Sequence, residues 1–220
     1  MIRGVFFDLD GTLVNSIADI GGAVNEALAS LGLPQFSLDE YRYMVGNGMR
    51  KLCQRALPAG KEELLPVLME RYKNNYLAEC TRGTLPYDGV NEMLARLRAA
   101  GLRLAVITNK PQPQAERVMT LLPEGCVDVV FGQQEPYPVK PDPAAFLHVA
   151  EMLGLLPDEV IYCGDSSVDI QFGHNAGTLG FGCAWGFRGR GELEEAGADA
   201  IADSPEELGE RILERSAACK

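Results

Sequence analysis

Val5-Phe6-Phe7-Asp8-Leu9-Asp10-Gly11-Thr12-Leu13 is the most informative stretch of this 220-residue chain. It begins as a short apolar run of buried-strand length and stops at two carboxylates two positions apart, followed by Gly11 and the hydroxyl of Thr12. In an open α/β sheet, ligands bind outside the carboxyl ends of the strands, so Asp8 and Asp10 stand at the mouth of a site. Two converging carboxylates attract a hard cation such as Mg²⁺, which in turn attracts phosphate. An ordinary Asp-Gly turn would use the same residues. An EF-hand loop would not: its sixth position would be Leu13 instead of glycine, and no helix precedes it.

Working outward, apolar runs of strand length recur at Leu102–Ile107, Val129–Phe131, Val160–Cys163 and Leu179–Ala184, with a weaker one at Ala198–Ala202. Helical periodicity fills the gaps, as in Val90, Leu94, Leu97 before Gly101 and in Phe146, Val149, Ala150, Leu153 before Gly154. Asp142-Pro143 reads as an N-cap followed by proline at the first helical position. Strands alternating with helices predict βαβ units and a mostly parallel, Rossmann-like α/β core. One stretch breaks the alternation. Between Ile17 and Cys80 only helical patterns occur, roughly 65 residues, too long for a βα loop. The expected organisation is a core of residues 1–15 and 84–220 with an all-helical cap domain, 16–83, inserted after the first strand. The hinges would lie at Val14–Ser16 and Gly83–Pro86.

Composition narrows the function. A net charge of −11 argues against nucleic-acid and anionic-membrane partners, which need a basic face. It also means that any phosphate must be held by a metal and a few local cations. No apolar run is long enough to cross a membrane. Met1-Ile2-Arg3-Gly4 leads straight into the first apolar run without a signal-peptide pattern. The six cysteines (Cys53, Cys80, Cys126, Cys163, Cys183, Cys219) show no zinc-type spacing, and Cys163 and Cys183 read as core residues. The expectation is a reduced, cytoplasmic protein. His148 and His174 are too few for histidine-based chemistry, and His148 reads as a half-buried helical residue.

Three further positions carry polar chemistry at strand ends. Thr108-Asn109 follows Leu102–Ile107 and offers donors to phosphate oxygens, although the pair also begins turns. Lys140 precedes the marked helix start, where an ammonium and free backbone N–H groups can face an anion. Gly164-Asp165-Ser166-Ser167-Val168-Asp169 places a second acidic pair after Val160–Cys163, and the spacing of Asp165 and Asp169 puts both on one helical face. Helix capping accounts for one of these acids but not both.

Taken in order, Asp8-Leu9-Asp10-Gly11-Thr12, Thr108, Lys140 and Gly164-Asp165 through Asp169 resemble the four motifs of the haloacid dehalogenase superfamily across nearly the whole chain. The helical insertion resembles that superfamily's cap of the first type. Val45-Gly46-Asn47-Gly48 with Leu52 and Arg55-Ala56-Leu57, Asp8 through Ser16, and Pro86-Tyr87-Asp88-Gly89-Val90 are similar to phosphoglycolate phosphatases. Asn15 stands where that subfamily usually has an aspartate, at a position that is not catalytic.

The resemblance implies Asp8 as a nucleophile that forms an aspartyl-phosphate, and Asp10 as the acid and then the base, its pKa raised by a neighbouring carboxylate. It implies Mg²⁺ held by the Asp8 carboxylate, the Asp10 carbonyl and Asp165. Thr108, Asn109 and Lys140 would bind the phosphoryl group, with Asp169 orienting Lys140. Gly46, Asn47 and Gly48 would form a substrate loop, although a plain helix-connecting turn fits as well. Arg50, Lys51 and Arg55 could meet an anionic substrate or be solvated helix residues. The expected partner is a small phosphorylated metabolite, 2-phosphoglycolate first, and the chain a monomer or homodimer. Sugar-phosphate or nucleotide phosphatase, pyrophosphatase and β-phosphoglucomutase activities share the same core. A phosphonate hydrolase would need a Schiff-base lysine, for which Lys51 stands in the cap. A phosphate-binding regulatory protein is the non-enzymatic alternative. Trp185-Gly186-Phe187-Arg188 is distinctive but has no role on sequence grounds.

Overall fold

The structure, a computed structural model, describes residues 1–217; Cys219 therefore lies outside the described residues. Among the described residues there are eight strands: β1 (Gly4–Phe7), β2 (Val14–Asn15), β3 (Leu85–Pro86), β4 (Arg103–Pro111), β5 (Val129–Gln133), β6 (Val160–Gly164), β7 (Leu179–Cys183) and β8 (Ala200–Ala202). Six form one sheet in the order β5-β4-β1-β6-β7-β8, every pair parallel. The chain runs outward from β1 through β4 to β5, then returns to the other side of β1 for β6 to β8. That reversal makes the carboxyl ends of β1, β4 and β6 the switch-point crevice of the sheet.

Side-chain alternation explains the two layers. Val5 and Phe7 point to one face with Leu104, Val106, Ile161 and Cys163. There they meet Val90, Leu94 and Leu97 of α5 (Val90–Ala99) and Leu208 and Ile212 of α10 (Pro205–Ala217). Phe6 points the other way with Ala105, Ile107 and Tyr162, against Phe146 and Val149 of α7 (Ala144–Leu153) and Phe172 of α8 (Ser167–Ala176). Burying each such side chain contributes about 1.5–3 kcal/mol. The central strand is fully buried, which is why β1 reads as a continuous apolar run.

Between β2 and β3 the regular structure is all helical: α1 (Ile17–Ala29), α2 (Leu38–Met44), α3 (Gly48–Ala56), a 3₁₀ turn at Glu62–Leu64 and α4 (Leu65–Glu79). The two crossings into and out of this segment are joined. Val14 pairs with Pro86 and Asn15 with Leu85 in an antiparallel ribbon that the apolar pattern does not announce, because each strand is two residues long. Asp19 reinforces it by accepting from Gly83 N, Thr84 N and Thr84 Oγ1.

Two expectations shift. The strand expected to end at Ile107 continues to Pro111, so Thr108 and Asn109 lie within β4. Its register against β5 is irregular between Ile107 and Pro111, which frees residues 108–110 from the ladder. Helix α7 starts at Ala144, one residue later than Asp142-Pro143 suggested, although Asp142 Oδ1 still accepts from Ala144 N at 3.0 Å. His148 is half-buried in α7 against Phe131 and Tyr137. Cys53, Cys80, Cys126, Cys163 and Cys183 are buried and unpaired.

Candidate active site

Asp8 is the first residue past β1, and its N–H donates to Cys163 O at 2.9 Å, so it is still tied to β6. Its buried carboxylate faces Lys140, whose Nζ stands 2.9 Å from Asp8 Oδ1. That approach misses hydrogen-bond geometry, leaving Oδ1 buried without a directed donor. Lys140 donates instead to Asp169 Oδ1 at 2.6 Å and to the Tyr162 hydroxyl at 3.0 Å. Tyr162 donates its own hydroxyl hydrogen bond to Ile107 O at 2.7 Å. A residue legible in the sequence only as core thus fixes the position of the ammonium.

Asp165 and Asp169 converge, but not on a shared helical face as the spacing suggested. Asp165 lies before the helix, at the end of β6, whereas Asp169 is the third residue of α8. Ser166 is the N-cap residue of that helix, and its N–H and Oγ both donate to Asp169 Oδ2 at 3.1 and 2.6 Å. Both Asp169 oxygens are therefore engaged, one by the cap and one by Lys140. The acid that capping was expected to explain also orients the lysine.

Oxygens of Asp8, Asp165 and Asp169 all lie within 4.8 Å of one another. Three buried carboxylates against one ammonium is an excess of negative charge. Burial first, and then Asp169 and Asp10, push the Asp8 carboxyl up to about 6, against the opposing pull of Lys140. Burial, Asp169 and Asp8 push Asp165 well above the carboxylate range. Lys140 is held well above its ordinary value because Asp169 and Asp8 outweigh its desolvation. An all-oxygen, charge-rich cluster with an undirected Asp8 oxygen fits a hard divalent cation.

The Trp185–Arg188 segment, mute in the sequence, builds one wall of this cluster. Phe187 N donates to Asp165 Oδ2 at 2.6 Å, and Trp185 Nε1 donates to Thr12 O at 3.0 Å. Gly11 and Gly186 sandwich Asp165 so closely that a Cβ at either would overlap its carboxylate. At Gly11 the backbone also has φ +86°, which disfavours any side chain.

Asp10 is engaged elsewhere. Lys110 Nζ lies 2.7 Å from both of its oxygens, and Ser16 Oγ donates to Oδ1 at 2.6 Å. Ser16 sits at the N-cap of α1 but gives its hydroxyl to Asp10 and not to the helix. The expected neighbour of Asp10 was a carboxylate; its direct partners are an ammonium and a hydroxyl. Lys110 was missed altogether, because a lysine after Thr108-Asn109 reads as solvated. The freed register of β4 and the Tyr76 ring, 4.7 Å from Nζ, are what bury it.

Thr108 is buried and lines the same cavity as Asp8 and Asp10. Its Oγ1 accepts from Lys110 N at 3.3 Å, which leaves its proton for a ligand. Asn109 also lines the cavity, but its side chain is a clamp: Nδ2 donates to Gly46 O at 2.9 Å and Oδ1 accepts from Lys140 N at 2.8 Å. The amide expected to donate to phosphate instead ties the lysine loop to the Gly46 loop. Gly46 and Gly48 line the cavity, whereas the Asn47 side chain turns to Arg55, accepting from Nη2 at 2.8 Å. Arg50 and Lys51 are exposed. The apolar wall, from Ile20, Met49, Leu52 and Tyr72, comes from the helical segment.

With this geometry in view, the comparisons are direct. The sequence profile of the haloacid dehalogenase-like hydrolases matches residues 5–181. A phosphoglycolate phosphatase of Pseudomonas putida is 36% identical over 197 residues, covering 84% of this chain and 70% of its own length. Another from Salmonella typhimurium is 33% identical, covering 94% and 91%. A predicted phosphoglycolate phosphatase of Haemophilus somnus superimposes with a TM-score of 0.88 at 30% identity, covering 96% of this chain and 98% of that one. The CbbY protein of Rhodobacter sphaeroides, solved with phosphate, gives a TM-score of 0.79 at 27% identity over 95% and 97% of the two chains.

Proposed function

The chain belongs to the haloacid dehalogenase-like hydrolases and is a phosphoric monoester hydrolase of the phosphoglycolate phosphatase-like kind; on that premise we propose that it hydrolyses 2-phosphoglycolate to glycolate and phosphate, with Mg²⁺, through a phosphoryl group carried on Asp8. The observation that carries the reading is the buried Asp8 carboxylate, set at the sheet switch point between the Lys140 ammonium and the acids Asp165 and Asp169. The named relatives support the substrate.

Each residue then has a task. One oxygen of Asp8 attacks phosphorus while the ester oxygen leaves on the opposite side. Lys140 balances charge on the transferring group from the position that Asp169 and Tyr162 fix for it. Thr108 donates its free hydroxyl proton to a phosphoryl oxygen. Asp8, Asp165 and the Asp10 carbonyl, with Asp169 behind them, would hold Mg²⁺, which when bound would supply further neutralisation of the phosphoryl oxygens. Asp10 protonates the leaving alkoxide, becomes the carboxylate that Lys110 compensates, and then takes a proton from the water that cleaves the acyl phosphate.

Residues 16–83 are assigned as a cap that closes over the site and excludes water, with the β2–β3 ribbon as its stem. Gly46 and Gly48 belong to its substrate loop. The setting is cytoplasmic, with the chain a monomer or homodimer. No helix among the described residues is long and apolar enough to cross a membrane.

The test is a panel of phosphomonoesters, sugar phosphates, nucleotides and pyrophosphate, assayed with Mg²⁺ and ranked by kcat/KM. The proposal expects 2-phosphoglycolate to rank first and Asp8→Asn to abolish turnover. A different best substrate overturns the substrate assignment, and residual activity in Asp8→Asn at the wild-type level overturns the nucleophile.

A further inference from the structure

Two cations line the cavity among the described residues, Lys110 and Arg188. Lys110 is neutralised by both oxygens of Asp10. Arg188 is not neutralised in this way. Its Nη2 donates to the carbonyls of Tyr43 and Val45, each at 3.1 Å, and these acceptors carry no net charge. Its Nη1 comes no nearer than 3.7 Å to Glu192 Oε2. Glu192 instead uses Oε1 to accept from Ser167 N and Oγ at 2.9 and 2.8 Å. A guanidinium carries five N–H donors, and here only Nη2 finds acceptors within hydrogen-bond distance among the described residues. The side chain is 13% exposed, so little water is left to solvate the remainder.

Its placement is equally specific. The preceding residue, Phe187, donates its N–H to Asp165 Oδ2 at 2.6 Å. Consecutive Cα atoms are about 3.8 Å apart, so the Arg188 backbone stands one residue from the acidic cluster. Its guanidinium closes on the carbonyls just before Gly46, and its charge is felt at Arg55, which burial and Arg188 together hold below the ordinary arginine value. Arg188 therefore places positive charge on the cavity lining in a chain whose net charge is −11. Ile20, Met49 and Leu52 also line the cavity and are apolar, and the carboxylate nearest the guanidinium is Glu192, 3.7 Å from Nη1.

We infer that Arg188 is the specificity-determining residue: it binds an anionic group, above all a carboxylate, on the alcohol half of the phosphomonoester. The preferred substrates are then short phosphomonoesters that carry a second negative charge. Charge-assisted hydrogen bonds from a planar guanidinium to a carboxylate are the strong, oriented kind that this task requires. The inference rests on the phosphatase reading above.

The test compares 2-phosphoglycolate with 2-hydroxyethyl phosphate, which has the same reacting ester and a neutral end of similar length. Wild type is expected to favour the carboxylate by about tenfold or more in kcat/KM, the range of a hydrogen bond to a charged group. Arg188→Gln removes that preference by raising KM for 2-phosphoglycolate more than for 2-hydroxyethyl phosphate, and Arg188→Lys restores part of it. Glycolate inhibits the wild type competitively and ethylene glycol does not, a readout that needs no variant to fold. Equal losses on both esters in Arg188→Gln make the residue a strut for the Tyr43 and Val45 carbonyls and overturn the inference. Wild-type turnover of both esters without preference overturns it while leaving the phosphatase reading standing, and turnover of neither overturns both.

Discussion

Lys110 Nζ sits 2.7 Å from each carboxylate oxygen of Asp10, the two residues reaching across from β4 and from the loop after β1. Side-chain exposures of 3% and 17% make this a largely buried pair. Breaking such a pair from one side costs about 3–5 kcal/mol, because the surviving charge is left uncompensated. The outer edge of Asp10 is wet, so the low end applies. Lys110→Met should lower Tm by roughly 6–12 °C for a domain of this size and reduce kcat by more than tenfold. A melt within about 1 °C of wild type would contradict the pairing.

Tyr162 bridges Ile107 O and Lys140 Nζ. Tyr162→Phe keeps the ring that packs on Phe172 but strands a buried carbonyl and removes one partner of the ammonium. The expected cost is about 1–3 kcal/mol in stability, with kcat falling several-fold and not to zero, since Asp169 and Asp8 still hold Lys140. Calorimetry and steady-state kinetics check both. Complete inactivation would mean that the hydroxyl does more than position the lysine.

Asp165 has no room to move between Gly11 and Gly186. Gly186→Ala pushes a methyl into its carboxylate and into Gly11 O at a position without positive φ, so the effect comes from space and not from backbone strain. The Mg²⁺ concentration for half-maximal activity should rise about tenfold or more, the scale seen when a ligand's supporting contacts are lost. Unchanged metal dependence would show that Asp165 is not a ligand.

Burial raises the folded-state pKa of Asp8 to about 6, above the ordinary 3.8 of the unfolded chain. Folding therefore takes up protons between those values. The contribution is fully present below about pH 4 and is lost as pH rises through 6, up to roughly 3 kcal/mol. Asp165 is shifted in the same direction. A bound cation competes with these protons, so the Tm increase from Mg²⁺ over EDTA should be larger at pH 7.5 than at pH 5. An equal or greater increase at pH 5 would contradict the assignment of Asp8 and Asp165 as the metal's ligands.

The sheet was legible because buried parallel strands are written as unbroken apolar runs, and the acids that matter come directly after two of them. Asp8 and Asp165 could be picked out for that reason, Asp169 by its spacing from Asp165, and Lys140 by the helix start that follows it. What stayed hidden depends on geometry without a periodic signature. Lys110 reads as an ordinary lysine until the freed register of β4 brings it to Asp10, and Tyr162 reads as a core aromatic until its hydroxyl on β6 is seen to meet Lys140. The two-residue strands of the β2–β3 ribbon are too short to leave a pattern. Asn109 reads as a donor to phosphate, and the same amide clamps two loops in the structure, a use with no sequence signature. Arg188 becomes interpretable only once Phe187 is seen to touch Asp165.

The central claim is that the phosphoryl group rests on residue 8, and the most direct measurement is to catch it there. Rapid acid quench during turnover of 2-phosphoglycolate, borohydride reduction and peptide mass spectrometry should find homoserine in place of Asp8 in the N-terminal peptide. The signal should vanish without Mg²⁺. Unmodified Asp8 under conditions of demonstrated turnover, or modification at another carboxylate, would contradict the account.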